Sequence, residues 1–317
     1  MNKCSITPSS GLDAQVNRNL FPGWQWNSTK NVKVLGAAIG DETFCEELIA
    51  KMQKKAAALL QKLGELGDVP CGYLLLRSCS SYAKLMYSIR TTPAISQSTG
   101  LRNFDSAVFG AFSSLTQLYP REVDWNRAQW CTSAGGLGLR SVVDHADAAF
   151  AASISSTLPL QAAIFPRMSA DDVMTAAPYQ AALAALQPKL PAPLHAKLAS
   201  GEGVTQKLLS KSLDTAALES CLADPSMATH MKAHLQLVTL SAADSWLHAP
   251  PSREQRTQMS SELFRIALGR RMRIPLLDEP YTCQMCRSAL DVYMDHALVC
   301  SCGGDRTLRH NAFRNVT

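Results

Sequence analysis

Cys283, Cys286, His296 and Cys300 are spaced Cys-x2-Cys-x9-His-x3-Cys, and no other stretch constrains the fold of this chain so tightly. Two cysteines separated by two residues can aim both thiolates at one ion from a tight turn. The His–Cys pair closes a tetrahedron after a short excursion. Three sulfurs and one imidazole suit Zn2+, and four protein ligands leave no position for water, so the expected role is structural. The alternative is a set of reduced thiols with no metal. Cys302 is a possible substitute for Cys300, and His310 is a remote spare. A thioredoxin-like redox pair has less support, because no βαβ pattern surrounds the motif.

The remaining cysteines, Cys4, Cys45, Cys71, Cys79, Cys131 and Cys221, are scattered and read as small apolar core residues. With 317 residues, 46% of them hydrophobic and 18% charged, the chain can bury a core without staples, in one large domain or two ordinary ones. No apolar run approaches the roughly 18 residues that a membrane span needs. "MNKCSITPSS" has no apolar core and is not expected to be a signal peptide. An intracellular protein is expected, in nucleus or cytoplasm, with its thiols reduced. The net charge of +5 permits nucleic acid or an acidic membrane as partner and demands neither.

Along the chain, helices dominate. Residues 1–31 are polar and loop-like. "VKVLGAAIG" (32–40) reads as a strand or tight hairpin. Asp41 should cap a helix whose apolar face is Phe44, Leu48, Met52, Leu59 and Leu63, with Glu47 one turn before Lys51 and Gly64 as its stop. Pro70 should open a second helix running through "YLLLRSCSSYAKLMYSIR" to Pro93. Leu101–Tyr119 gives a third, and "VVDHADAAFAASISS" a fourth, after the glycine-rich 132–141. The alanine-rich 166–225, with three prolines in 186–198, reads as a linker or helical insert. Helical pattern returns at 226–247. Residues 253–277 then carry six arginines against two glutamates, an excess of four positive charges.

Other constellations are weaker. "GGLGL" (135–139) lacks the Gly-Lys-Ser/Thr ending of a phosphate cradle and reads as a turn between helices. Asp144 and Asp147 of "DHAD" lie one turn apart and could hold a cation, although a solvated helix face is the plainer reading. His230 and His234 lack the glutamate of a metalloprotease pair. The arginine run is either a solvated face or a grip for phosphate.

Taken in order, these pieces resemble the C-terminal part of reverse transcriptases from non-LTR retrotransposons. "NKCSI" (2–6) is similar to the Asn-x-x-Lys region after the catalytic Tyr-x-Asp-Asp, and "VKVLGAAIG" to the primer-grip hairpin. "LLLRSCSSYAKLMYSIRTTP", "FDSAVFGAF" and "GGLGLRSVVDHADAAFAAS" resemble the thumb. "SWLHAPP", "LFRIALGRRMRIPL", the Cys-Cys-His-Cys cluster and "GG…RHN" follow in the family's order. The similarity covers about 1–160 and 240–317.

The resemblance implies a mainly α chain: a thumb-like helical bundle, a small N-terminal β-hairpin and a small C-terminal zinc module. It divides the chain into a palm and primer-grip remnant (1–40), a thumb-like region (41–160), the insert or linker (161–225), a helical region with the basic stretch (226–277), and the zinc module with the start of a missing downstream domain (278–317). It implies RNA or RNA/DNA hybrid as ligand, held through Arg265, Arg270, Arg271, Arg273, Lys51, Lys54, Lys55, Arg77 and Lys84. No Tyr-x-Asp-Asp occurs in the sequence, and two-metal nucleotidyl transfer needs such aspartates. No catalytic residue is therefore expected, and the chain should be a non-catalytic fragment, or one piece of an enzyme whose palm is a separate chain. The competing expectation is a helical interaction protein with a structural zinc site and no nucleic-acid role.

Overall fold

α1 (Glu42–Gly64) begins where Asp41 accepts a hydrogen bond from the Phe44 N–H at 2.8 Å, and it ends on Gly64, so both punctuation marks act as expected. The buried stripe of this helix is Cys45, Ile49, Ala56, Leu60 and Leu63. Phe44 and Leu48 are only half-buried at its edge. The stripe is rotated because Gly100 lets Ile49 seat against it; a Cβ there would overlap the Ile49 side chain. The expected Glu47–Lys51 pair forms at 3.9 Å.

This computed structural model describes residues 5–6, 18–20, 22, 24–27, 30–167, 169–201 and 203–302, together with 307 and 311. Among them the chain is mainly helical, with short strand pairs only. None of its helices is long and apolar enough to cross a membrane.

The single second helix that the periodicity predicts is two helices. α2 (Val69–Leu75) follows a cap by Asp68, and α3 (Tyr82–Thr91) resumes after a π turn over Leu76–Ser80, closed by the Ser81 N–H on Leu76 O at 2.9 Å. The wider turn resets the helical phase. Tyr73 before it, Leu76 at its start, and Leu85 and Ile89 after it, then all reach the core. Tyr73 donates its hydroxyl to Leu137 O at 2.7 Å, which ties the turn to the glycine-rich loop.

α4 (Ser98–Thr116) lies against α1, and α5 (Glu122–Ala128) leads into that loop. The loop is a turn between helices, as expected. A Cβ on Gly136 would run into the carbonyl oxygens of Trp130 and Arg127, so only glycine fits there. α6 (Val142–Ile164) starts on a double cap: Ser141 accepts from the Asp144 N–H at 3.0 Å, and Asp105 of α4 accepts from the Val142 N–H at 2.9 Å and the Ser141 hydroxyl at 2.6 Å.

Residues 161–225 carry a core of their own. α7 (Ala170–Met174), α8 (Ala177–Leu186), α9 (Ala192–Ser200) and α10 (Gln206–Ala223) follow one another there. Tyr179, Leu183, Leu186, Leu190, Leu198 and Leu209 pack on Ala148, Ala151 and Ala152 of α6. The other face of α6, through Val142, Ala146 and Ala149, belongs to the larger core of α1–α5. α11 (Thr229–Val238), α12 (Ser245–His248) and α13 (Ser261–Met272) complete the body, α12 and α13 adding Leu247, Phe264, Leu268 and Met272 to the larger core.

The N-terminal strand elements are small. β1 (Ser5–Ile6) pairs in parallel with β2 (Gln25–Trp26), and β3 (Val32–Val34) pairs antiparallel with β4 (Ala37–Ile39). Residues 2–4 of the Asn-Lys region lie outside the described residues. Val34 opposes Ala37, so Leu35 and Gly36 form the hairpin turn, and their φ values of 50° and 97° are the pair that a type I′ turn requires. Leu35 is 93% exposed and gains no burial for holding a left-handed backbone. Replacing Leu35 with Asn should therefore stabilise the hairpin by about 1 kcal/mol, since Asn tolerates this region and Leu does not. Slower amide exchange at Val34 and Ala37 would show it; unchanged exchange would refute it.

Candidate metal centre and the arginines beside it

Two short elements bring the four spaced ligands together. β5 (Tyr281–Thr282) and β6 (Ala289–Leu290) pair antiparallel, and their connection carries Cys283 and Cys286. The Cys283 N–H donates to Ser288 O at 2.8 Å and the Arg287 N–H to Cys283 O at 2.9 Å, with Arg287 at φ 65° turning the chain back. α14 (Asp295–Val299) carries His296, and the Cys300 N–H bonds His296 O at 2.8 Å, so these two ligands sit one turn apart. Asp291 organises the approach. One carboxylate oxygen accepts from the N–H groups of Tyr293 and Asp295, the other from that of His296 at 3.0 Å.

The ligand atoms of Cys283, Cys286, His296 and Cys300 all lie within 4.8 Å of one another. Cys283 Sγ is 3.9 Å from Cys300 Sγ, and Cys286 Sγ is 3.0 Å from His296 Nε2. A tetrahedral ion with ~2.3 Å bonds to sulfur sets its sulfurs about 3.8 Å apart, so the set can hold a metal ion with little movement. The electrostatics agree. Hydrogen bonds from the Ser288 side chain and backbone draw the Cys286 thiol down to about 6. The backbone N–H groups of Cys286 and Met285 lower Cys283. Cys300 is helped by the Cys302 N–H, yet partial desolvation and the two neighbouring thiols push it up to about 11. Three thiolates this close repel one another, and a cation between them removes that repulsion. Cys302 is half-buried and outside the cluster. His310 lies outside the described residues.

The basic stretch beside the centre behaves differently from expectation. Arg271 and Arg273, expected to grip phosphate, are only 5% and 8% exposed. Arg271 spends its guanidinium on three carbonyls: Gly136 at 3.1 Å, Thr132 at 2.6 Å and Ala243 at 3.3 Å. Arg273 bonds Asp295 at 2.5 Å and lies over the Tyr293 ring, 4.0 Å from its centroid. Arg270 bonds the same Asp295 at 2.8 Å and Tyr293 O at 3.0 Å. The reason is local. α13 ends with Arg273 in the left-handed region at φ 53°, which throws alternate arginines onto opposite sides of the helix end. One side plugs the glycine-rich loop, and the other clamps the residue next to the ligand His296.

The remaining predicted contacts are distributed over the body. Lys51, Lys54 and Lys55 are exposed on α1, and Lys84 is exposed on α3. Arg265 is half-buried. Arg77, in the π turn, lies over Tyr73 and donates to His248 Nδ1 at 3.2 Å. Asp291, Tyr293 and Asp295 were not anticipated. Their signal is an aspartate at each end of "DVYMD", just before the ligand histidine, which reads in hindsight as a cap followed by a charge partner. No family model, curated protein or solved structure matches this chain.

Proposed function

We propose that this chain is the thumb and zinc-module part of a non-LTR retrotransposon-type reverse transcriptase, and that it holds RNA or an RNA/DNA hybrid through phosphate contacts. The observation that carries the reading is the Cys283–Cys286–His296–Cys300 centre clamped by Arg270 and Arg273 onto a helical body. That joint lies within 240–317, the second of the two stretches on which the resemblance rests. Zn2+ is the ion best suited to the ligand set, as a staple with no open position. Because Arg271 and Arg273 are consumed internally, phosphate contact falls to Lys51, Lys54, Lys55 and Lys84. Such contacts position a duplex without reading its sequence.

Changing Lys51, Lys54 and Lys55 together to glutamine should weaken hybrid-duplex binding equally for unrelated sequences. The slope of log affinity against log salt should flatten by roughly one per lost contact. A triple variant that binds with the parent's affinity and slope would remove these lysines from the interface. One observation favours a second reading, a helical interaction protein: the internal use of Arg270, Arg271 and Arg273 leaves little of the local positive excess free. A parent protein that shows no binding at low salt would support that reading instead.

A further inference from the structure

A cavity of about 490 Å³ lies between α2, α12 and the start of α13, bordered by the loop 250–258. No part of the proposed function uses it. Its wall is apolar: Leu74, Trp246, Leu247, Met259, Leu263 and Phe264. Trp246 meets Phe264 edge to face, with ring centroids 5.4 Å apart. Leu263 is 59% exposed, so this wall is open to whatever enters.

One cation lines the cavity, Arg256, and no acid does. The loop fixes the backbone there. Ser252 O accepts from the Thr257 and Gln258 N–H groups at 3.0 and 3.2 Å, and the Thr257 hydroxyl donates to Pro250 O at 2.5 Å. Arg256 itself stands in the left-handed region at φ 55°. Arginine rarely adopts that conformation, and residues held in it collect at ligand clamps. The guanidinium of Arg256 has no partner among the described residues. Arg253 in the same loop is engaged, donating to Gln258 at 3.1 Å. Glu254 and Glu262, the acids nearest in sequence, do not line the cavity.

An apolar pocket with one free positive charge at its rim is complementary to an anion that carries an apolar tail. A nucleic-acid backbone would leave the apolar wall in water, and a neutral apolar compound would leave the guanidinium unused. The volume falls within the range of small-molecule sites, about 300–1,000 Å³. We infer that this cavity binds a small amphipathic carboxylate, with its head on Arg256 and its chain along Trp246 and Phe264.

Octanoate is the probe, titrated into the full chain by calorimetry at low salt, with 1-octanol as its uncharged counterpart. Saturable one-to-one binding of octanoate is expected, with Kd on the order of 1 mM or tighter, and octanol should bind about tenfold more weakly. Arg256→Asn should bring octanoate down to the level of octanol. Asparagine suits the left-handed backbone better than arginine does, so that loss would not come from misfolding. Ser245→Phe, at an exposed position on the lining, should abolish binding of both. Absence of saturable octanoate binding by the parent overturns the inference. So does binding that both variants leave unchanged, which would place octanoate elsewhere. Equal affinity for octanoate and octanol would remove Arg256 from the site and overturn the assignment to an anion. A blocked Leu-Glu-Leu peptide that binds where octanoate does not would give the cavity to a protein partner and overturn the assignment to a small molecule.

Discussion

Protein in which Cys283 and Cys286 are both serine is expected to retain almost no zinc, against about one ion per chain in the parent, by elemental analysis. The loss should be felt locally and almost completely. Cys283, Cys286, His296 and Cys300 are all half-exposed, and neither hydrophobic core contains a residue beyond Leu276. The segment therefore has little apolar burial to replace the metal. Structural zinc contributes on the order of 10–16 kcal/mol in isolated metal-binding peptides, more than the whole stability of many domains. Residues 281–300 should become the first site of proteolytic cleavage, while far-UV ellipticity, which reports the helical body, barely changes. Treatment of the parent with a strong chelator should reproduce both effects. Unchanged metal content in the double variant would remove these cysteines from the ligand set.

Arg271→Met should be the most damaging single change in the body. The guanidinium bonds Gly136, Thr132 and Ala243 carbonyls inside the fold; methionine takes the arginine from all three, and only Thr132 O keeps a further donor, the Gly135 N–H at 3.1 Å. At roughly 1 kcal/mol for each of the two stranded acceptors, the expected loss is about 2 kcal/mol. Arg271→Lys should rescue little, because an ammonium cannot reach three divergent acceptors with one planar fork. Arg270→Gln, at the adjacent position on the more exposed side, should cost within about 1 kcal/mol. Urea midpoints for the three variants decide the matter. An Arg271→Met midpoint equal to that of Arg270→Gln would mean that the guanidinium does not hold the loop.

Much of this architecture was legible in the residues themselves. Asp41, Gly64 and the ligand spacing act through local geometry, and local geometry is what a sequence displays. The break at Leu76–Ser80 was not legible, because no proline or glycine marks it and the phase shift shows only in which residues reach the core. Just before it, Tyr73 bonds Leu137 across the core. The prolines in 186–198 left linker and helical insert both open, and the stretch is helical. Pro193 sits in the first turn of α9 and Pro188 in a short 3-10 turn, so they mark closely spaced helix starts as readily as a linker. The arginines misled because charge counting assumes exposure. "GRRMR" holds Gly269, Arg271, Met272 and Arg273 inside, and nothing in that run distinguishes a buried guanidinium from a solvated one.

α6 has a consequence for how this chain comes apart. Its alanines serve two cores from opposite faces, Ala146 and Ala149 for one, Ala148, Ala151 and Ala152 for the other. A helix cannot fray from one core and stay ordered for the other, since both use the same turns. Unfolding of α8–α10 removes the cover from a backbone on which α3 and α4 also rest. The two helical layers are therefore expected to unfold as one cooperative unit, with a single transition by far-UV ellipticity and by tryptophan fluorescence.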